Sequence, residues 1–561
     1  MDKVWLKHYQ EGVPHEIDAN EYDSIVSFFE ISCRKFANQV AYVNLGTELT
    51  YADLDKYSAH FAVYLQQLGL KKGARVALMM PNILQYPIAL FGALRAGYIV
   101  VNTNPLYTPD EFVHQMNDSG AEALVVMANF AITVEHSLTR LTTVKHIIVT
   151  QIGDCFPLIK GLIINAVVKY VKKSLPSYNL PQAICFKKTL ELGKKGTLTP
   201  VSLNHEDIVF LQYTGGTTGI SKGSMLTHGN MVSNVLQASA WIRPMGLDAQ
   251  EVVITALPLY HIFSLCANCL AFLGFGVKNI LITNPRDIPH FIKEIKDVGF
   301  TVITGVNTLF NALLNNPTFK KVDFSKLRCS LAGGMALQRA VSIKWKEVTN
   351  HPIIEAYGLT ETCPAVTINP LNLKEYNGSI GLPLPSTDIS IRNDEEEELP
   401  FNVAGELCIK GPQVMLGYWQ RPEETEQAFT KDGFFKSGDI AKVDENGYVY
   451  LVDRKKDLIV VSGFNVYPNE VEQVISMLPG VLEVGVVGVE DEDSGERVKA
   501  CIVKRDPALT EVEVIAHCRE HLTAYKIPKI VAFYQDLPKT NVGKILRRAL
   551  KNNPENLVAV S

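Results

Sequence analysis

The segment DIVFLQYTGGTTGISKGSMLTH, residues 207 to 228, runs from an apolar stretch into a loop of glycines, threonines and one lysine. The apolar stretch predicts a buried strand, and the residues after Lys222 are again typical of extended structure. Glycines let several backbone N–H groups approach one anion, and Lys222 adds a positive charge at the far end of the loop. The segment differs from a Walker A motif, because Gly223 follows the lysine where that motif has serine or threonine. We therefore predict a phosphate-binding loop, with a glycine hairpin that binds no ligand as the alternative.

The composition is that of an ordinary globular enzyme. The chain has 561 residues, which is too long for one typical domain, and 47% of them are hydrophobic and 20% charged. The formal net charge of −5 gives no reason to expect a nucleic-acid partner. Ten cysteines are scattered along the chain, and the pair Cys266 and Cys269 lacks a second pair that would complete a metal site. Reduced thiols in a cytoplasmic protein are the expectation.

Two stretches bear on membrane targeting. The first residues, MDKVWLKHYQEGVPHEID, lack the apolar core of a signal peptide. Residues 252 to 277 contain no Asp, Glu, Lys or Arg and are long enough for a transmembrane helix. However, Pro258, His261 and Asn268 interrupt them. A buried strand, a loop and a buried helix are therefore predicted, and a membrane span is the alternative.

The elements around the loop indicate an α/β fold. Residues 20 to 130 alternate between helical and strand patterns, and further strands recur up to about residue 334, which is typical of parallel sheets. After residues 378 to 386, short strands and turns predominate and indicate a β-rich subdomain. The acidic run from Asp394 to Glu398 is expected at a solvated hairpin tip.

A second domain is predicted from Asp453 onward. There the pattern becomes β-β-α-β-β-α-β over about a hundred residues, the size of a small α+β domain. The predicted division is a large N-terminal domain, residues 1–452, with two α/β subdomains and the β-rich subdomain, followed by a small C-terminal domain, residues 453–561.

Four further motifs contain residues that can bind nucleotides or carry charge into a site. They are YGLTE at 357–361, KSGDI at 436–440, DRKKDLI at 453–459 and NVGKILRR at 541–548. Each motif alone is weak evidence for a nucleotide site, because a Thr-Glu pair is commonly a helix cap and a Gly-Lys pair is commonly a solvated turn. Their order and distances, together with DGFFKSGDIAKVDENGYVYLVDRKK at 432–456, form a specific set.

With these motifs the chain resembles the acyl-adenylate-forming, or AMP-binding, superfamily of acyl-CoA synthetases, luciferases and peptide-synthetase adenylation domains. It is most similar to the bacterial long-chain fatty acid–CoA ligases, from VWLKHY through PNILQYPIALFGALRAG and NPLYTPDE to KTNVGKILRR. The resemblance implies two steps. A fatty acid and ATP give acyl-AMP and pyrophosphate, and CoA then displaces AMP to form the thioester. It also implies Mg²⁺ as the cofactor, ATP and CoA as co-substrates, and a place in fatty-acid uptake and β-oxidation.

The same resemblance implies roles for individual residues. ATP is expected to contact Tyr213, Thr214, Gly215, Gly216, Thr217, Thr218, Gly219, Ser221, Lys222, Gly333, Tyr357, Thr360, Asp439 and Arg454. The loop would hold the β- and γ-phosphates and Thr360 the α-phosphate. Gly333 and Tyr357 would bracket adenine, and Asp439 and Arg454 would hold the ribose. Glu361 and Thr214 would bind the metal.

Lys544 is the adenylation lysine that the resemblance implies. A compact ammonium is suited to bridging a carboxylate and an α-phosphate during in-line displacement. Without the resemblance, a surface lysine in a basic tail, with Lys539, Arg547 and Arg548 nearby, is the better explanation of Lys544. His261 would line the pocket of the acyl carboxylate and, with Glu361 and Thr214, complete the catalytic set. The alternative for His261 is a histidine of the core.

The C-terminal domain of this family serves both half-reactions by moving. Lys456 matches the family's hinge position, where a residue between two bodies must absorb the change in φ and ψ. After the movement, the segment SGFNVYP at 462–468 would approach the site. Ser462, Gly463 and Phe464 are therefore the expected CoA-binding residues.

The stretch FPLIKGLIINAVVKYVKKSLPS, residues 156 to 177, predicts an amphipathic helix. Its polar face would carry Asn165, Lys169, Lys172 and Lys173, and its apolar face Ile159, Ile163, Val167, Tyr170 and Val171. Residues 155 to 190 contain six lysines and no acid. This pattern fits a helix on an anionic membrane surface and predicts a cytoplasmic enzyme at the cytosolic face of the inner membrane. An ordinary surface helix over the core is the alternative, and a homodimer is expected from the resemblance only.

Three other functions stay open on the sequence alone. A fatty acyl-AMP ligase would load a carrier protein instead of CoA, and a luciferase-like oxygenase would require a luciferin. A non-catalytic acyl or nucleotide sensor would be expected to lack Lys544, Glu361 or the glycine loop, all of which are present. The family's α-amino acid enzymes carry an aspartate near the segment PLYHIF, and this chain has none there. The uncharged residues 252–277 could instead wall a tunnel for a long acyl chain.

Overall fold

The structure is a computed structural model, and it describes residues 3–214, 221–491, 494–540 and 542–552. The apolar stretch before the glycine loop is a strand, and so is the segment after it, as predicted. The strands in chain order are β1 (Val40–Asn44), β2 (Thr47–Thr50), β3 (Arg75–Met79), β4 (Ile99–Asn102), β5 (Ala123–Met127), β6 (His146–Thr150), β7 (Ile184–Cys185), β8 (Ile208–Thr214), β9 (Lys222–Thr227), β10 (Val252–Thr255), β11 (Lys278–Leu281), β12 (Val302–Gly305), β13 (Cys329–Ala332), β14 (Ile353–Gly358), β15 (Ala365–Ile368), β16 (Leu382–Pro383), β17 (Asp388–Arg392), β18 (Gly405–Lys410), β19 (Gly417–Tyr418), β20 (Phe435–Val443), β21 (Val449–Arg454), β22 (Ile459–Val461), β23 (Phe464–Val466), β24 (Val481–Asp491), β25 (Gly495–Lys504) and β26 (Ile530–Tyr534).

The α-helices alternate with these strands in the first two thirds of the chain. They are α1 (Ile25–Lys35), α2 (Tyr51–Gln67), α3 (Gln85–Arg95), α4 (Pro109–Ser119), α5 (Ala131–Ser137), α6 (Leu158–Ala166), α7 (Phe186–Gly193), α8 (His228–Ile242), α9 (Ile262–Ser264), α10 (Ile288–Ile295), α11 (Asn307–Leu314), α12 (Arg339–Thr349), α13 (Pro422–Gln427), α14 (Pro468–Ser476), α15 (Glu511–His521) and α16 (Arg547–Asn552).

Two large mixed sheets form the body of the molecule. One has the strand order β19-β9-β8-β4-β3-β5-β6-β7, and the other β16-β15-β14-β13-β12-β10-β11-β1-β2. Their central neighbours run parallel, and helices connect them, which confirms the predicted α/β class. Helix α3 is buried along almost its whole length, because its sequence is apolar on every side. Strand β4, which the sequence reading did not single out, lies beside β8 at the centre of the first sheet.

Strands β8 and β9 form an antiparallel pair around the glycine loop, with Thr214 opposite Lys222. The short strand β19 adds to the other edge of β9, where Gly417 lies opposite Met225. Helix α8 then starts at a capping box, in which the side chains of Thr227 and Asn230 each accept a hydrogen bond from the other's backbone N–H. Thr214 and Lys222, on either side of residues 215–220, are therefore held by two neighbouring strands of a buried sheet.

Residues 252–277 fold as predicted into buried structure. They form β10, a loop, α9 and a series of wide and tight helical turns that ends at Phe275. Among the helices that the structure describes, none combines the length and the hydropathy needed to cross a bilayer. Cys266 and Cys269 are both buried free thiols.

The β-rich subdomain is the antiparallel sheet β17-β18-β20-β21. The acidic run from Asp394 to Glu398 lies in the connection between β17 and β18, which confirms the predicted hairpin. The C-terminal part then follows the predicted order, β22-β23-α14-β24-β25-α15-β26, with α16 after it. Its sheet has the order β23-β22-β25-β24, with β26 beside β25.

The predicted helix at 156–177 differs from the structure in two ways. It is regular only over α6 and continues as one wide π-helical turn, Val167–Val171. Asn165 does not share the outer face with the lysines, because its Oδ1 accepts a hydrogen bond from the backbone N–H of Gly153 at 2.9 Å. Gly161 packs directly on Gly153, where a Cβ would come within 2.4 Å of the Gly153 oxygen. The small and polar side of the helix is thus the side that faces the body.

Candidate active site

A cavity of about 1970 Å³ lies where the ends of β8, β14 and β20 meet the C-terminal part of the chain. It collects the described residues that the sequence analysis assigned to ATP and catalysis. Its lining includes Tyr213, Thr214, Ser221, Lys222, His261, Gly333, Tyr357, Thr360, Glu361, Asp439, Arg454, Lys456 and Lys544. Gly215, Gly216, Thr217, Thr218 and Gly219 lie outside the described residues. Side chains from positions 213 to 544 therefore converge on one space.

Glu361 lies in a tight turn that follows β14 and is nine-tenths buried. Burial raises the pKa of this carboxyl, and the hydroxyl of Tyr418 donates a hydrogen bond to its Oε1 at 2.9 Å. The ammonium of Lys222 lies 5.2 Å from the centre of the Tyr418 ring. Tyr418 thus connects the predicted metal ligand with the predicted phosphate lysine. The sequence analysis did not identify it.

Tyr213, the residue before the loop, is fixed by a second group that the sequence analysis missed. Its hydroxyl donates to Asp118 Oδ2 at 2.7 Å, and Arg421 Nη2 donates to Asp118 Oδ1 at 2.6 Å. The indole N–H of Trp419 donates to the Asp118 carbonyl at 3.1 Å. The backbone N–H of Trp419 also bonds to the carbonyl of Gly223 at 2.8 Å. These contacts fix both ends of the glycine loop to α4 and β19.

Asp439 lies in β20 directly opposite Arg454 of β21. It accepts a hydrogen bond from the hydroxyl of Tyr357 at 2.6 Å, and Arg454 Nε lies 3.6 Å from its other oxygen. Burial raises the pKa of Asp439, and the charge of Arg454 works against that rise. At Gly333 a Cβ would come within 3.1 Å of both the Ala356 carbonyl and the ring of Phe263. A side chain at position 333 would therefore require its neighbours to move.

Lys544 reaches the cavity from a tight turn in the C-terminal part. The backbone N–H of Thr540 bonds to the Lys544 carbonyl at 2.7 Å, and Lys544 N–H donates to Thr540 Oγ1 at 3.1 Å. A Cβ on Gly334 would lie 3.5 Å from Lys544 Cε, so the side chain extends against the large domain. Burial and the neighbouring charge of Arg454 lower the pKa of Lys544 to about 8. Because its side chain lies beside Gly334 and lines the cavity, Lys544 is not an exposed lysine of a basic tail.

Among the described residues, two hydrogen bonds join α11 of the large domain to the small domain. Thr308 Oγ1 donates to the carbonyl of Gly543, in the turn of Lys544, at 2.9 Å, and Asn311 Nδ2 donates to the carbonyl of Leu482 in β24 at 2.8 Å. Both donors lie on α11, and both acceptors are backbone oxygens. On the side of α11, the turn of Lys544 is therefore held by one hydrogen bond, in contrast to the several side-chain contacts around the loop.

His261 lies between β10 and α9, and its Nδ1 accepts a hydrogen bond from the backbone N–H of Phe263 at 3.4 Å. Burial and the nearby charge of Lys544 lower the pKa of His261 to about 3, so the imidazole is neutral. Part of the cavity lining is apolar, and we call these residues the apolar branch. They include Ala238, Ile242, Cys266, Ala267, Phe272 and Ile380. A neutral, partly apolar pocket of this kind suits an acyl chain whose carboxylate points to Lys544.

The predicted CoA-binding segment is not brought into the cavity. Ser462 and Gly463 form the two-residue turn of the β22–β23 hairpin, and both have positive φ, 50° and 83°. Phe464 is 57% exposed and stacks on Tyr525 with ring centres 4.9 Å apart. In this arrangement of the two domains, Lys544 occupies the cavity and the hairpin is elsewhere on the small domain.

Comparison with known proteins gives matches over nearly the whole chain. Residues 29–419 match the AMP-binding enzyme family, and residues 470–544 match the AMP-binding enzyme C-terminal domain. The chain is 54% identical to the long-chain-fatty-acid–CoA ligase of Yersinia pestis, covering 98% of each chain. It is also 54% identical to that of Escherichia coli, over 100% of this chain and 99% of the relative.

A similar fold is found among solved structures. An anthranilate CoA ligase in complex with anthranoyl-AMP superposes with a TM-score of 0.84 over 95% of this chain and 98% of that one. The two sequences are 24% identical, so this likeness concerns the fold. It confirms the large α/β domain followed by a small C-terminal domain.

Proposed function

Because the chain belongs to the AMP-binding enzyme family, and within it to the long-chain-fatty-acid–CoA ligases, we propose that it activates long-chain fatty acids with ATP and transfers them to CoA. The observation that carries the proposal is the position of Lys544. Its ammonium extends into a cavity that it shares with Glu361 and Asp439. A cation in that place can neutralise a carboxylate and a phosphate that must approach each other.

The chemistry requires two displacements. A carboxylate is a poor acyl donor, because oxide would have to leave. In the first step a carboxylate oxygen attacks the α-phosphorus of ATP and pyrophosphate leaves. In the second step the CoA sulfur attacks the acyl carbon and AMP leaves. Lys544 stabilises the charge that develops in the first step, and Lys222 and Thr360 hold phosphate oxygens.

The remaining predicted ATP contacts fit the same placement of the nucleotide. Asp439 can accept hydrogen bonds from two ribose hydroxyls, since an ionised carboxylate accepts at both oxygens. Arg454 lies beside it and contributes a further donor. Gly333 and Tyr357 line the same cavity, and we assign the adenine to the space beside them. We place the fatty-acid carboxylate beside His261, which is neutral.

The proposal is tested by mixing the protein with palmitate, Mg·ATP and CoA and by following AMP, pyrophosphate and palmitoyl-CoA together. Palmitoyl-CoA that appears with stoichiometric AMP, and that is lost in Lys544→Ala, is the expected result. Pyrophosphate and acyl-AMP without thioester would identify a carrier-loading acyl-AMP ligase instead. Absence of nucleotide turnover with every acyl length would favour a sensor.

Mg²⁺ is the cofactor that this site fits. Glu361 offers a buried carboxylate and Thr214 a hydroxyl, both of which line the cavity, and hard oxygen ligands are the ones that Mg²⁺ prefers. The ion, when bound, neutralises phosphate charge. Glu361 is already oriented for such a role by the hydrogen bond from Tyr418.

The two half-reactions require two positions of the C-terminal domain. We place the hinge near Lys456, in the short turn Lys455–Asp457 that follows β21, the last strand that pairs with the sheet of the large domain. In the position described here Lys544 is in the cavity, which suits adenylation. A rotation about Lys456 would withdraw Lys544 and bring the hairpin turn at Ser462 and Gly463, with Phe464, to the CoA thiol.

A long acyl chain is the substrate that the apolar branch suits. Each buried methylene contributes about 0.8 kcal/mol to binding, so a chain of many methylenes can be held by an apolar wall alone. Ile242, Phe272 and Ile380 contribute to this wall. Palmitate should therefore have a lower KM than hexanoate at similar kcat.

The amphipathic helix at 158–171 supports a peripheral membrane position. Six large apolar side chains on its outer face are 57% to 74% exposed: Leu158, Ile159, Leu162, Ile163, Tyr170 and Val171. An ordinary surface helix buries its apolar face, whereas this one presents it to solvent. Lys169, Lys172 and Lys173 are exposed beside it, and no acid occurs between residues 155 and 190. An anionic lipid bilayer matches both features.

Vesicle sedimentation tests this position. Wild-type protein should pellet with anionic vesicles, and Lys169→Glu/Lys172→Glu/Lys173→Glu should stay in the supernatant. The matched control reverses three exposed lysines on another face, Lys320→Glu/Lys321→Glu/Lys326→Glu, and should behave as wild type. A helix variant that pellets as well as wild type would remove the membrane proposal. We propose a position in the cytoplasm at the inner face of the cell membrane, and vesicle binding would support the membrane part of that proposal. A homodimer remains a prediction that light scattering can test.

A further inference from the structure

Asp453 is a fully buried carboxylate at the point where the two domains meet. Although the sequence predicts that the small domain begins at residue 453, Asp453 lies in β21 opposite Ile440 of β20, so the sheet of the large domain fixes its backbone. Its Oδ2 accepts a hydrogen bond from the backbone N–H of Asn469 at 2.7 Å. Its Oδ1 accepts one from Arg547 Nη1 at 2.9 Å. Both donors come after Lys456 in the chain, so both oxygens are bonded across the proposed hinge.

Arg547 belongs to the small domain. It begins α16, three residues after Lys544. Its guanidinium contacts Glu472 of α14 at 3.0 Å and a third carboxylate, Asp457, at 3.3 Å. Glu472 therefore holds Arg547 within the small domain, while Asp453 receives it from the other side of the hinge. The Arg547 guanidinium therefore makes one contact inside the small domain, with Glu472, and one across the hinge, with Asp453.

We propose that Asp453 is a positioning residue that stabilises the adenylation position of the small domain. A rotation at Lys456 that withdraws Lys544 must carry Asn469 and Arg547 away from a carboxylate that stays in β21. Separating a buried, hydrogen-bonded ion pair is unfavourable, so the pair favours the position in which Lys544 is inside the cavity. Asp453 acts through Arg547 and Asn469, not on the substrates. The inference rests on the hinge movement proposed above.

The experiment compares Asp453→Asn with Glu472→Gln in the full-length protein. Each variant removes one negative charge from the same guanidinium, but only Asp453 lies across the hinge. Palmitate-dependent ATP–pyrophosphate exchange measures adenylation, and palmitoyl-AMP supplied with CoA measures thioester formation. In Asp453→Asn we expect adenylation to fall about tenfold, as for the loss of a hydrogen bond to a charged group, with thioester formation unchanged or faster. In Glu472→Gln the ratio of the two rates should stay at the wild-type value.

A second readout reports the position of the domain without catalysis. Labelling of the Lys544 amino group by an acylating reagent, followed by peptide mass spectrometry, should be faster in Asp453→Asn than in Glu472→Gln. If Asp453→Asn does not fold, Asn469→Ala takes its place, because it removes the amide contact to the Val452 carbonyl across the hinge. It should show the same split between the half-reactions.

The outcomes separate this inference from the proposed function. If both variants lose both half-reactions equally, Asp453 only supports the fold and the inference is wrong. It is also wrong if Asp453→Asn keeps the wild-type ratio and labelling rate. Loss of adenylation in Lys544→Ala beside either of these results would leave the ligase proposal intact. Adenylation that survives in Lys544→Ala would instead overturn the proposed role of the lysine, whatever Asp453 does.

Discussion

The two sides of the cavity are built differently. Around the glycine loop, side chains far apart in sequence brace each other: Asp118 holds Tyr213 and Arg421, and Tyr418 holds Glu361. Across the cavity, the turn that carries Lys544 meets α11 through the hydroxyl of Thr308, and a second bond from the same helix reaches the small domain. One wall is part of a sheet. The other is a contact between domains, made by these two bonds from α11 and by the bonds of Asp453 to Arg547 and Asn469.

This difference teaches how such a site can hold one ligand through two reactions. Groups that hold the nucleotide stabilise charge best when they are preorganised. No free energy is then needed to reorient them during the reaction. A cation that is needed in only one of the two steps must be able to leave the site before the other step. The braced wall therefore suits ATP, and the contact between domains suits Lys544. The predictions below break one side at a time.

The largest effect is expected for Lys544→Ala. Loss of a charge that stabilises the transition state costs about 100- to 1000-fold in rate. ATP–pyrophosphate exchange should fall by that amount, while conversion of supplied palmitoyl-AMP and CoA to palmitoyl-CoA should continue. Equal loss of both half-reactions would show that Lys544 supports the domain arrangement and has no specific role in adenylation.

Glu361→Gln tests the braced wall. The side chain keeps its shape and its bond from Tyr418 but loses the charge that would hold Mg²⁺. Because metal-bound charge stabilisation is worth several kcal/mol, we expect adenylation to fall about 100-fold at low Mg²⁺ and to recover partly at high Mg²⁺. An unchanged dependence on Mg²⁺ concentration would contradict the assigned ligand.

The matched control is Glu355→Gln, a second buried glutamate that lines the same cavity. Burial raises the pKa of Glu355 to about 8, so this group is already protonated at neutral pH. Replacing it with the neutral amide should therefore change adenylation little.

The sequence predicted the polar residues of the site because the family's motifs mark them one by one. Thr214, Lys222, Glu361, Asp439 and Lys544 all line one cavity. The order of strands in the C-terminal part was predicted equally well, since alternating apolar residues and turns determine it locally.

The contacts that Tyr418 and Asp118 make in the site could not be predicted from motifs. Tyr418 and Asp118 act through contacts to residues 57 and 95 positions away, respectively, and no local spacing marks such pairs. The outer helix shows the same limit. Periodicity separates its two faces, but the close approach of Gly161 to Gly153 decides which face turns inward. Asn165 was placed on the wrong side for that reason.

The pH dependence of adenylation tests the wall of the cavity that carries Lys544. Burial and Arg454 lower the pKa of Lys544 to about 8 in the protein without substrates. The protonated amine is the form that is needed, so kcat/KM for ATP should decline about tenfold per pH unit above that value. In Lys544→Arg the guanidinium stays charged, and the residual activity should lose this alkaline limb. If the arginine variant still loses activity above the same pH, the loss belongs to a group other than Lys544.

Tyr418→Phe removes one brace and leaves the ring under Lys222 in place. Groups that orient a metal ligand typically contribute about tenfold to affinity or activity. We expect an approximately tenfold loss of adenylation, with a weaker apparent affinity for Mg²⁺. The control is Tyr450→Phe, which removes a hydroxyl bonded to the carboxylate of Asp444 at 3.3 Å and away from the cavity. Equal effects in the two variants would argue against a specific role for Tyr418.

The smallest effect is expected for Thr308→Val, which keeps the shape of the side chain and removes the hydroxyl bonded to the carbonyl of Gly543. One neutral hydrogen bond contributes a net ~1 kcal/mol, which corresponds to about a fivefold change. Because this bond holds the turn of Lys544 against α11, adenylation should fall by about that factor, whereas thioester formation from supplied palmitoyl-AMP should not. Thr318→Val, which alters an exposed threonine bonded only to nearby Asn316, serves as the control. If Thr308→Val slows both half-reactions to the same extent, the contact stabilises the molecule as a whole, and the lysine side is less separable from the nucleotide side than its few hydrogen bonds indicate.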